Sequence, residues 1–435
     1  MFRSRSKPPR ESQLLRVDTL TQSVLFLLLL TIVQRGIGFV RGVLFCGWLE
    51  PDELGQWDLA YGFLMLAAPL AVLGLPGTFS RYLERYRLKG LARPFLRKTS
   101  LWLAALATAG TWWMFLCPAW FSQLIFGRPT ETGLVQLIAL TLLALIAFNY
   151  LYELFGGLRM FRVVSVLQFV QSILFCVLGI GLLFWENSAP SVVLAFLIST
   201  VACLFLAGLW LKATFASLPA APEALSGKDL GRKLLPFAAS VWITNWLTNL
   251  FEIADRYMLV HYSGLSPEAA LAQVGNYHAA RVLPLVMVAV AALLRSAVIP
   301  HLSHDWEQGR KTEVHQQLSL ACRLLGLALL AGSICLLLLA PVIFQYGFRG
   351  KYDGGLEVLP LTLTYLAWMG IMFVASTYIW IAERAWLGSW SLALGVATNI
   401  GLNIILVPTL QLKGAVLATV AANAVTLGTT YWFNQ

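Results

Sequence analysis

Apolar residues in this chain fall into long runs separated by short polar stretches, and that alternation is the first structural signal. A helix that crosses the hydrocarbon of a bilayer needs about 20 mostly apolar residues. Twelve runs reach that length, at approximately 20–46, 57–79, 99–122, 133–156, 163–184, 191–211, 236–262, 273–300, 318–343, 357–381, 388–408 and 414–433. Every connection is short, which leaves no room for a folded extramembrane domain. The longest are the basic stretch Ser80–Lys98 and Lys212–Pro236, whose SLPAAPEALSGK reads as a linker. The pattern predicts an all-α polytopic membrane protein with twelve transmembrane helices, six on either side of that linker. Its expected organisation is a basic tail at 1–19, one lobe at 20–211, a linker at 212–235 and a second lobe at 236–435.

Composition supports the same class. Hydrophobic residues make up 58% of the chain and charged residues only 12%, against about 25% charged in an ordinary soluble domain. A soluble enzyme is thereby excluded. Of the 31 Lys and Arg, 21 fall in the N-terminal tail and the even-numbered loops, four in the odd-numbered loops and six inside spans. Positive loops stay in the cytoplasm, so both termini are expected there. The net charge of +10 is then topogenic, and nucleic acid is not an expected partner. The first run is too long for the apolar core of a signal peptide and lacks a small-residue cleavage site, so it is expected to be a retained span.

Few side chains suggest catalysis or metal binding. The six cysteines (Cys46, Cys117, Cys176, Cys203, Cys322 and Cys335) all lie in apolar spans without a CxxC pair, a usage that fits packing. His301, His304 and Asp305, beside His315, fall in a cytoplasmic loop and read as a solvated interface. No metal or other cofactor is expected.

An internal repeat joins the halves. Gly55-Gln-Trp-Asp-Leu-Ala60-Tyr61 aligns with Gly275-Asn-Tyr-His-Ala-Ala280-Arg281 at an offset of 220. An arginine precedes each, Arg41 and Arg256, near the outer end of the previous span. Six spans per half make both halves enter the membrane in the same sense, the parallel-repeat arrangement of many transporters.

Ten ionisable residues lie within spans: Arg35, Arg41, Asp58, Glu153, Glu252, Asp255, Arg256, Arg281, Arg295 and Arg323. Such groups usually face a cavity or a partner. Glu153, Arg295 and Arg323 sit near cytoplasmic span ends, where snorkelling accounts for them. At about 100° per residue, Asn245, Asn249, Glu252 and Arg256 form one polar stripe on span 7, flanked by Thr248 and Asp255. Glu252 stands four residues before Arg256, the favoured order for an ion pair within the helix. On span 1, Gln34 and Arg41 share a face while Arg35 points elsewhere. Gly36, Gly38 and Gly42 would let another helix approach closely.

The arginines outnumber the carboxylates in spans 1, 2, 7 and 8, so a cavity there suits an anion. Guanidinium grips phosphate bidentately and keeps its proton, which makes a phosphate-bearing substrate the natural ligand. Asp58, Glu252 and Asp255 could bind ions and supply coupling. Trp113, Trp242 and Trp246 could stack on sugars, although lipid-interface anchoring is the commoner use of such residues.

Several of these motifs carry a family resemblance. Arg35-Gly-Ile-Gly-Phe-Val-Arg41, Leu49-Glu-Pro51-Asp-Glu53-Leu-Gly55-Gln-Trp, Ala254-Asp255-Arg256, Gly275-Asn-Tyr277, Asn399-Ile-Gly-Leu-Asn403-Ile-Ile-Leu-Val-Pro408 and Lys413-Gly414-Ala-Val-Leu-Ala-Thr419 lie in order along nearly the whole chain. Together they resemble the polysaccharide (O-antigen-type) flippase family of the multidrug/oligosaccharidyl-lipid/polysaccharide (MOP) transporter superfamily. The resemblance implies two pseudo-symmetric six-helix lobes around a central cavity. It implies a non-enzymatic flippase of the bacterial inner membrane that moves undecaprenyl-diphosphate-linked oligosaccharide by alternating access, as a proton or sodium antiporter. Arg35, Arg41, Arg256 and Arg281, with Gln34, Asn245 and Asn249, would bind substrate, and polysaccharide polymerase machinery would be a further partner. The lipid II flippase branch is similar at Arg35 and Arg41. It has an Asp where this chain has Gly42, and two further C-terminal spans. A cation-coupled drug exporter would call for an acidic or apolar cavity. A polytopic glycan polymerase or glycosyltransferase would call for acids on a long outer loop, whereas here only scattered candidates such as Glu50, Asp52, Glu53 and Asp353 occur.

Overall fold

The computed structural model describes residues 20–74, 76–217 and 227–434. The basic tail 1–19 and the middle of the linker, 218–226, lie outside the described residues. The first lobe comprises α1 (Leu20–Trp48), α2 (Pro51–Ala71), the short α3 (Phe79–Leu88), α4 (Ala92–Leu116), α5 (Pro118–Phe126), α6 (Thr132–Gly157), α7 (Phe161–Trp185) and α8 (Ala189–Ser217). The second comprises α9 (Gly227–Tyr262), α10 (Pro267–Val282), α11 (Leu285–Glu307), α12 (Lys311–Val342), α13 (Asp353–Ala375), α14 (Thr377–Ile381) and α15 (Ala385–Phe433). Helices α8 and α9 extend into both ends of the stretch read as linker.

Helix covers most of every apolar run, although the run 57–79 leaves α2 after Ala71 and five others are broken by a turn or joined through a bend. The α4–α5 pair bends by 90° at Cys117–Pro118, and α10 gives way to α11 at Leu283–Pro284; proline removes a helix hydrogen bond and clashes with the preceding turn. Helix α13 hands over to α14 at Ser376. Helix α15 holds the last two runs and turns back at Gln411, which has φ 48°. Among the described residues, eight helices are long and apolar enough to cross a membrane, or nine if the bent α4–α5 pair is one span. Helices α2, α9 and α10 fall outside that test, because α10 is short and the others carry charged and polar groups. α15 counts once although it doubles back.

Contacts between helix ends confirm the alternation. Asn187, at the end of α7, donates to the Trp48 carbonyl at 2.7 Å. Lys413 at the α15 turn pairs with Glu357 at the start of α13. At the other end of the bundle, His315 lies 3.1 Å from the Asn434 carbonyl. One end therefore collects the loops around 48–51, 127–131, 186–189, 262–267, 347–353 and 411. The opposite end collects the basic loops.

Two reciprocal clasps tie the lobes at the first of these ends. The chain after α12 forms a single π-helical turn, Ile343–Gly347, and reaches the C-terminus of α1. There Lys351 Nζ lies 3.0 Å from the Trp48 carbonyl and 2.7 Å from Glu50, and the Tyr352 hydroxyl donates to the Leu49 carbonyl at 2.9 Å. A cation at the carbonyl end of a helix opposes the helix dipole. The second tie runs from the other lobe: His261 Nε2, near the end of α9, sits 2.9 Å from the Leu124 carbonyl of α5, and Arg128, just after α5, pairs with Glu268 of α10 at 3.3 Å. Between the clasps α2 crosses α10 backbone to backbone. A Cβ on Gly55 would fall 2.0 Å from the Leu271 carbonyl oxygen, and one on Gly275 would fall 1.8 Å from that of Pro51. Gly55 and Gly275 stand 220 residues apart, as do Pro51 and Leu271, so the repeat read from the sequence meets itself across the lobe boundary.

Candidate functional site

Going deeper from the glycine crossing, the next turn of each helix brings polar residues together. Asp58, one turn beyond Gly55, is buried, and its carboxylate receives Arg256 Nη1 from α9 at 3.1 Å. It also lies 2.7 Å from His278 Nδ1 on α10. Arg256 Nη2 donates to the Glu252 backbone carbonyl at 2.8 Å. The ion pair expected within α9, between Glu252 and Arg256, is thus replaced by one between lobes. The Arg256 side chain reaches across to α2, where a buried carboxylate needs it, and the exposed Glu252 can be solvated without it.

Asp255 turns the other way, into the second lobe. Its Oδ1 accepts the Arg256 backbone N–H at 2.9 Å, and its Oδ2 accepts the Tyr277 hydroxyl at 2.6 Å and lies 3.1 Å from Thr419 Oγ1. Tyr365 Oη is 3.2 Å from Tyr277 Oη. The turn at Gln411 brings the two arms of α15 together, so that Asn399 Nδ2 donates to Thr419 Oγ1 at 3.1 Å and Asn403 Nδ2 to Asn399 Oδ1 at 3.0 Å. Buried Asn403 Oδ1 has no protein partner. Buried polar groups are usually satisfied, so Asn403 Oδ1, at the end of this chain of hydrogen bonds, carries spare acceptor capacity.

The remaining arginines lie on faces that the lobes leave uncovered or partly covered. The Arg41 guanidinium stacks 4.2 Å from the Phe175 ring centroid, an arrangement that covers one face and leaves the N–H edge to other partners. Phe175 is held by Trp57 and Phe196, at 5.6 and 5.0 Å between centroids. Arg281 sits 5.7 Å from the Tyr277 ring centroid, with a buried Nε that lacks a partner. Arg35 and Glu252 are exposed, and Arg41 is half-buried. Arg35, Arg41, Asp58 and Glu252 are all within electrostatic range of the Tyr61 hydroxyl. The polar residues of spans 1, 2, 7 and 8 therefore converge on one region between the lobes.

Other sequence candidates distribute as follows. Gln34 and Asn249 are half-buried and Asn245 is exposed, with Asn249 bonded back to the Asn245 carbonyl. Trp242 and Trp246 stack at 6.5 Å on α9, whereas Trp113 stacks on Trp120 at 5.6 Å, far from the arginines at the bend of α4. Asp305 is taken by Arg310 and Gln317, and His304 by Gln308. Of the three glycines expected to admit another helix at α1, only Gly42 meets one, 3.2 Å from Val282 Cγ1. A Cβ on Gly36 would meet nothing within 4 Å, and one on Gly38 only the Arg41 side chain. The sequence reading also passed over His278, Tyr61 and Tyr365. His278 and Tyr61 had a usable signal, since they stand 220 residues from Asp58 and Arg281; Tyr365 had none among so many aromatic residues.

Known proteins share this architecture. A multidrug resistance MATE family transporter of the MOP superfamily, in its inward-facing conformation, superposes with a TM-score of 0.74 at 15% identity over 94% of this chain and 97% of its own. The lipid II flippase MurJ, inward closed, gives a TM-score of 0.73 at 14% identity over 94% of this chain and 87% of its own. The uncharacterised membrane protein YabM of Bacillus subtilis is 24% identical over 430 residues, covering 94% of this chain and 78% of YabM. These likenesses establish a multi-pass helical protein with the fold of MOP transporters. The pattern of the polysaccharide biosynthesis protein family matches residues 20–306, and the chain belongs to that family.

Proposed function

We propose that the protein is a flippase that carries undecaprenyl-diphosphate-linked oligosaccharide across the bacterial inner membrane for surface polysaccharide biosynthesis. In this reading lobes 20–211 and 236–435, joined by the linker 212–235, alternate in opening, both termini are cytoplasmic and the clasped end is periplasmic. The observation that carries it is that Arg35 and Arg41 come within electrostatic range of Tyr61 beside Asp58 and Glu252, with the Arg41 guanidinium over the Phe175 ring and its N–H edge left to other partners. A diphosphate between sugar and lipid matches such an edge bidentately. Gln34, Asn245 and Asn249 would contact the glycan. Arg256 is paired with Asp58 in this conformation and joins the substrate set only after the lobes have moved.

Ion coupling falls to the carboxylates. Asp255, which touches Thr419 at the head of the chain of hydrogen bonds through Asn399 to Asn403, is the proposed site for a sodium ion or a proton, and Glu252 lies close enough to feel its charge. Polysaccharide polymerase machinery would receive the product. The test is export of lipid-linked oligosaccharide in cells carrying Arg41→Ala. The glycan should accumulate on the cytoplasmic leaflet with the amount of membrane protein unchanged, and undiminished surface polysaccharide would overturn the reading. In proteoliposomes, transport should collapse when the proton and sodium gradients are both dissipated; indifference to both would remove the coupling.

A further inference from the structure

Asp58 and His278 occupy equivalent positions of the internal repeat and meet each other across the lobe boundary, 2.7 Å apart. Asp58 is enclosed, with 5% of its side chain exposed, while His278 retains 22%. Arg256 and Tyr257 face Asp58 from α9, His278 from α10, Cys46 from α1 and Tyr61 from its own helix. Arg256 is the permanent cation in this group, and it belongs with His278 to the opposite lobe. Any movement that parts α2 from α9 and α10 therefore strips Asp58 of both partners at membrane depth. An uncompensated carboxylate there is costly, and a neutral carboxylic acid is not.

The glycine crossing one turn away makes the parting all-or-none. With the backbones of Pro51 and Gly275, and of Leu271 and Gly55, in contact, no side chains lie between them to rearrange gradually. Close-packed interfaces of this kind switch between discrete arrangements.

We propose that Asp58 and His278 form a proton site that controls the parting of the two lobes. The proposal rests on the reading that transport proceeds by alternate opening. In the closed arrangement a neutral His278 donates its Nδ1–H to the Asp58 carboxylate. A solvent proton binds at Nε2 and stays on the imidazolium while Arg256 holds Asp58 ionised; as α2 begins to part from α9 and Arg256 withdraws, the Nδ1 proton passes to Asp58 Oδ1. One proton has then been taken up, His278 is again neutral with hydrogen on Nε2, and Asp58 is an uncharged acid. Arg256 no longer faces an anion, the clasped end is free to open, and the released guanidinium becomes available to a phosphate. Loss of the proton from Asp58 restores the pair and closes that end.

The experiment places spin labels on Glu186→Cys and Lys413→Cys, one in each lobe at the clasped end, with the other accessible cysteines replaced by serine. The distance between them is measured in lipid nanodiscs at pH 8 and pH 5. The expected result is a short distance at pH 8 and a shift toward a longer one at pH 5. Asp58→Asn, which imitates the protonated acid, should show the longer distance at both values. His278→Gln, which cannot relay a proton, should slow the shift that follows a jump from pH 8 to pH 5, read on samples frozen at set times after the jump. A distance independent of pH in the unmodified chain, or an Asp58→Asn protein that stays closed, would overturn the proposal. Should Asp58→Asn not fold, His278→Gln decides: a shift as fast as that of the unmodified chain removes the histidine from the site. A pH-blind distance together with lost export in Arg41→Ala would remove the latch alone, while full export in Arg41→Ala would remove the transport reading alone.

Discussion

Two seams run along the lobe boundary, α2 against α9 and α1 against α10 and α11, and the internal repeat makes them equivalents. They begin alike. In mid-bundle a Cβ on Gly62 would lie 2.4 Å from Ile253 Cδ1, and one on Gly42 would lie 3.2 Å from Val282 Cγ1; Gly62 and Val282 stand 220 residues apart. Toward the basic end they diverge. The α2–α9 seam stays shut, with Gly74 packed against the Ala238 carbonyl and Trp242, whereas beside α1 a Cβ on Gly36 or Gly38 would meet no other helix within 4 Å. Arg35 is exposed on that open stretch, and Arg41 is half-buried where it begins. The difference teaches that one fold motif serves two purposes. The shut seam holds the lobes together, and its open counterpart leaves uncovered the cationic groups that the shut seam neutralises at Asp58 and Arg256.

The sharpest way to break this comparison is to remove one cation from each seam. Arg256→Ala leaves the buried Asp58 without its charge partner, and loss of one member of a buried pair costs about 3–5 kcal/mol. Arg35→Ala removes an exposed charge and should leave stability within about 0.5 kcal/mol. Unfolding midpoints in the same detergent would check this. A double variant, Asp58→Ala with Arg256→Ala, should recover part of the loss because no lone charge remains. Equal shifts for Arg256→Ala and Arg35→Ala would show that the two seams are not different in the way described.

A second comparison uses glycine alone. Gly74 has φ +69°, and its added Cβ would fall 2.5 Å from the Ala238 carbonyl oxygen. Backbone cannot yield as a flexible side chain can, so Gly74→Ala should destabilise by about 2–3 kcal/mol through overpacking and an unfavourable left-handed residue. Gly36→Ala meets open space inside a helix and should be neutral, or stabilising by up to about 1 kcal/mol from helix propensity. If Gly36→Ala is as damaging as Gly74→Ala, the seam beside α1 is closed.

Much of this was legible in the sequence, for reasons that differ between the parts. Apolar runs long enough to cross a bilayer reveal themselves by length, and helix covers most of each, although among the described residues only eight or nine helices are long and apolar enough to cross. The convergence of Arg35, Arg41, Asp58, Glu252 and Arg256 followed from the cost of charge in lipid, which needs no knowledge of tertiary contacts. Pairing was harder. Periodicity put Glu252 and Arg256 on one face and so suggested they paired, yet partner choice depends on which helix lies opposite, and that helix was α2. The glycines of α1 illustrate the same limit. Their spacing is that of a packing surface, but whether a neighbour occupies it depends on how far the lobes are parted. The hydrogen-bond network from Asp255 through Thr419 to Asn399 depends on Gln411 reversing α15, a single residue of positive φ between two apolar runs.

The smallest expected effects lie at the clasps, and they test whether closure depends on salt bridges or on the glycine crossing. Lys351, Glu50, Arg128 and Glu268 are partly to largely exposed, with side-chain exposures of 21%, 59%, 19% and 67%. Exposed pairs contribute about 0–1 kcal/mol and are screened by salt. Lys351→Ala should therefore cost less than about 1 kcal/mol, and Arg128→Ala somewhat more than the Glu268 pair alone implies, because Arg128 also reaches Glu131 at 2.9 Å. Raising the salt concentration should erase most of either difference. At the crossing, by contrast, Gly55→Ala sets a Cβ against the Leu271 carbonyl, and its effect should persist at any ionic strength because it is steric. Distances between labels on the two lobes, measured at low and high salt, would separate these contributions. A clasp variant that opened the lobes as widely as Gly55→Ala would move the closing force from the backbone crossing to the ion pairs.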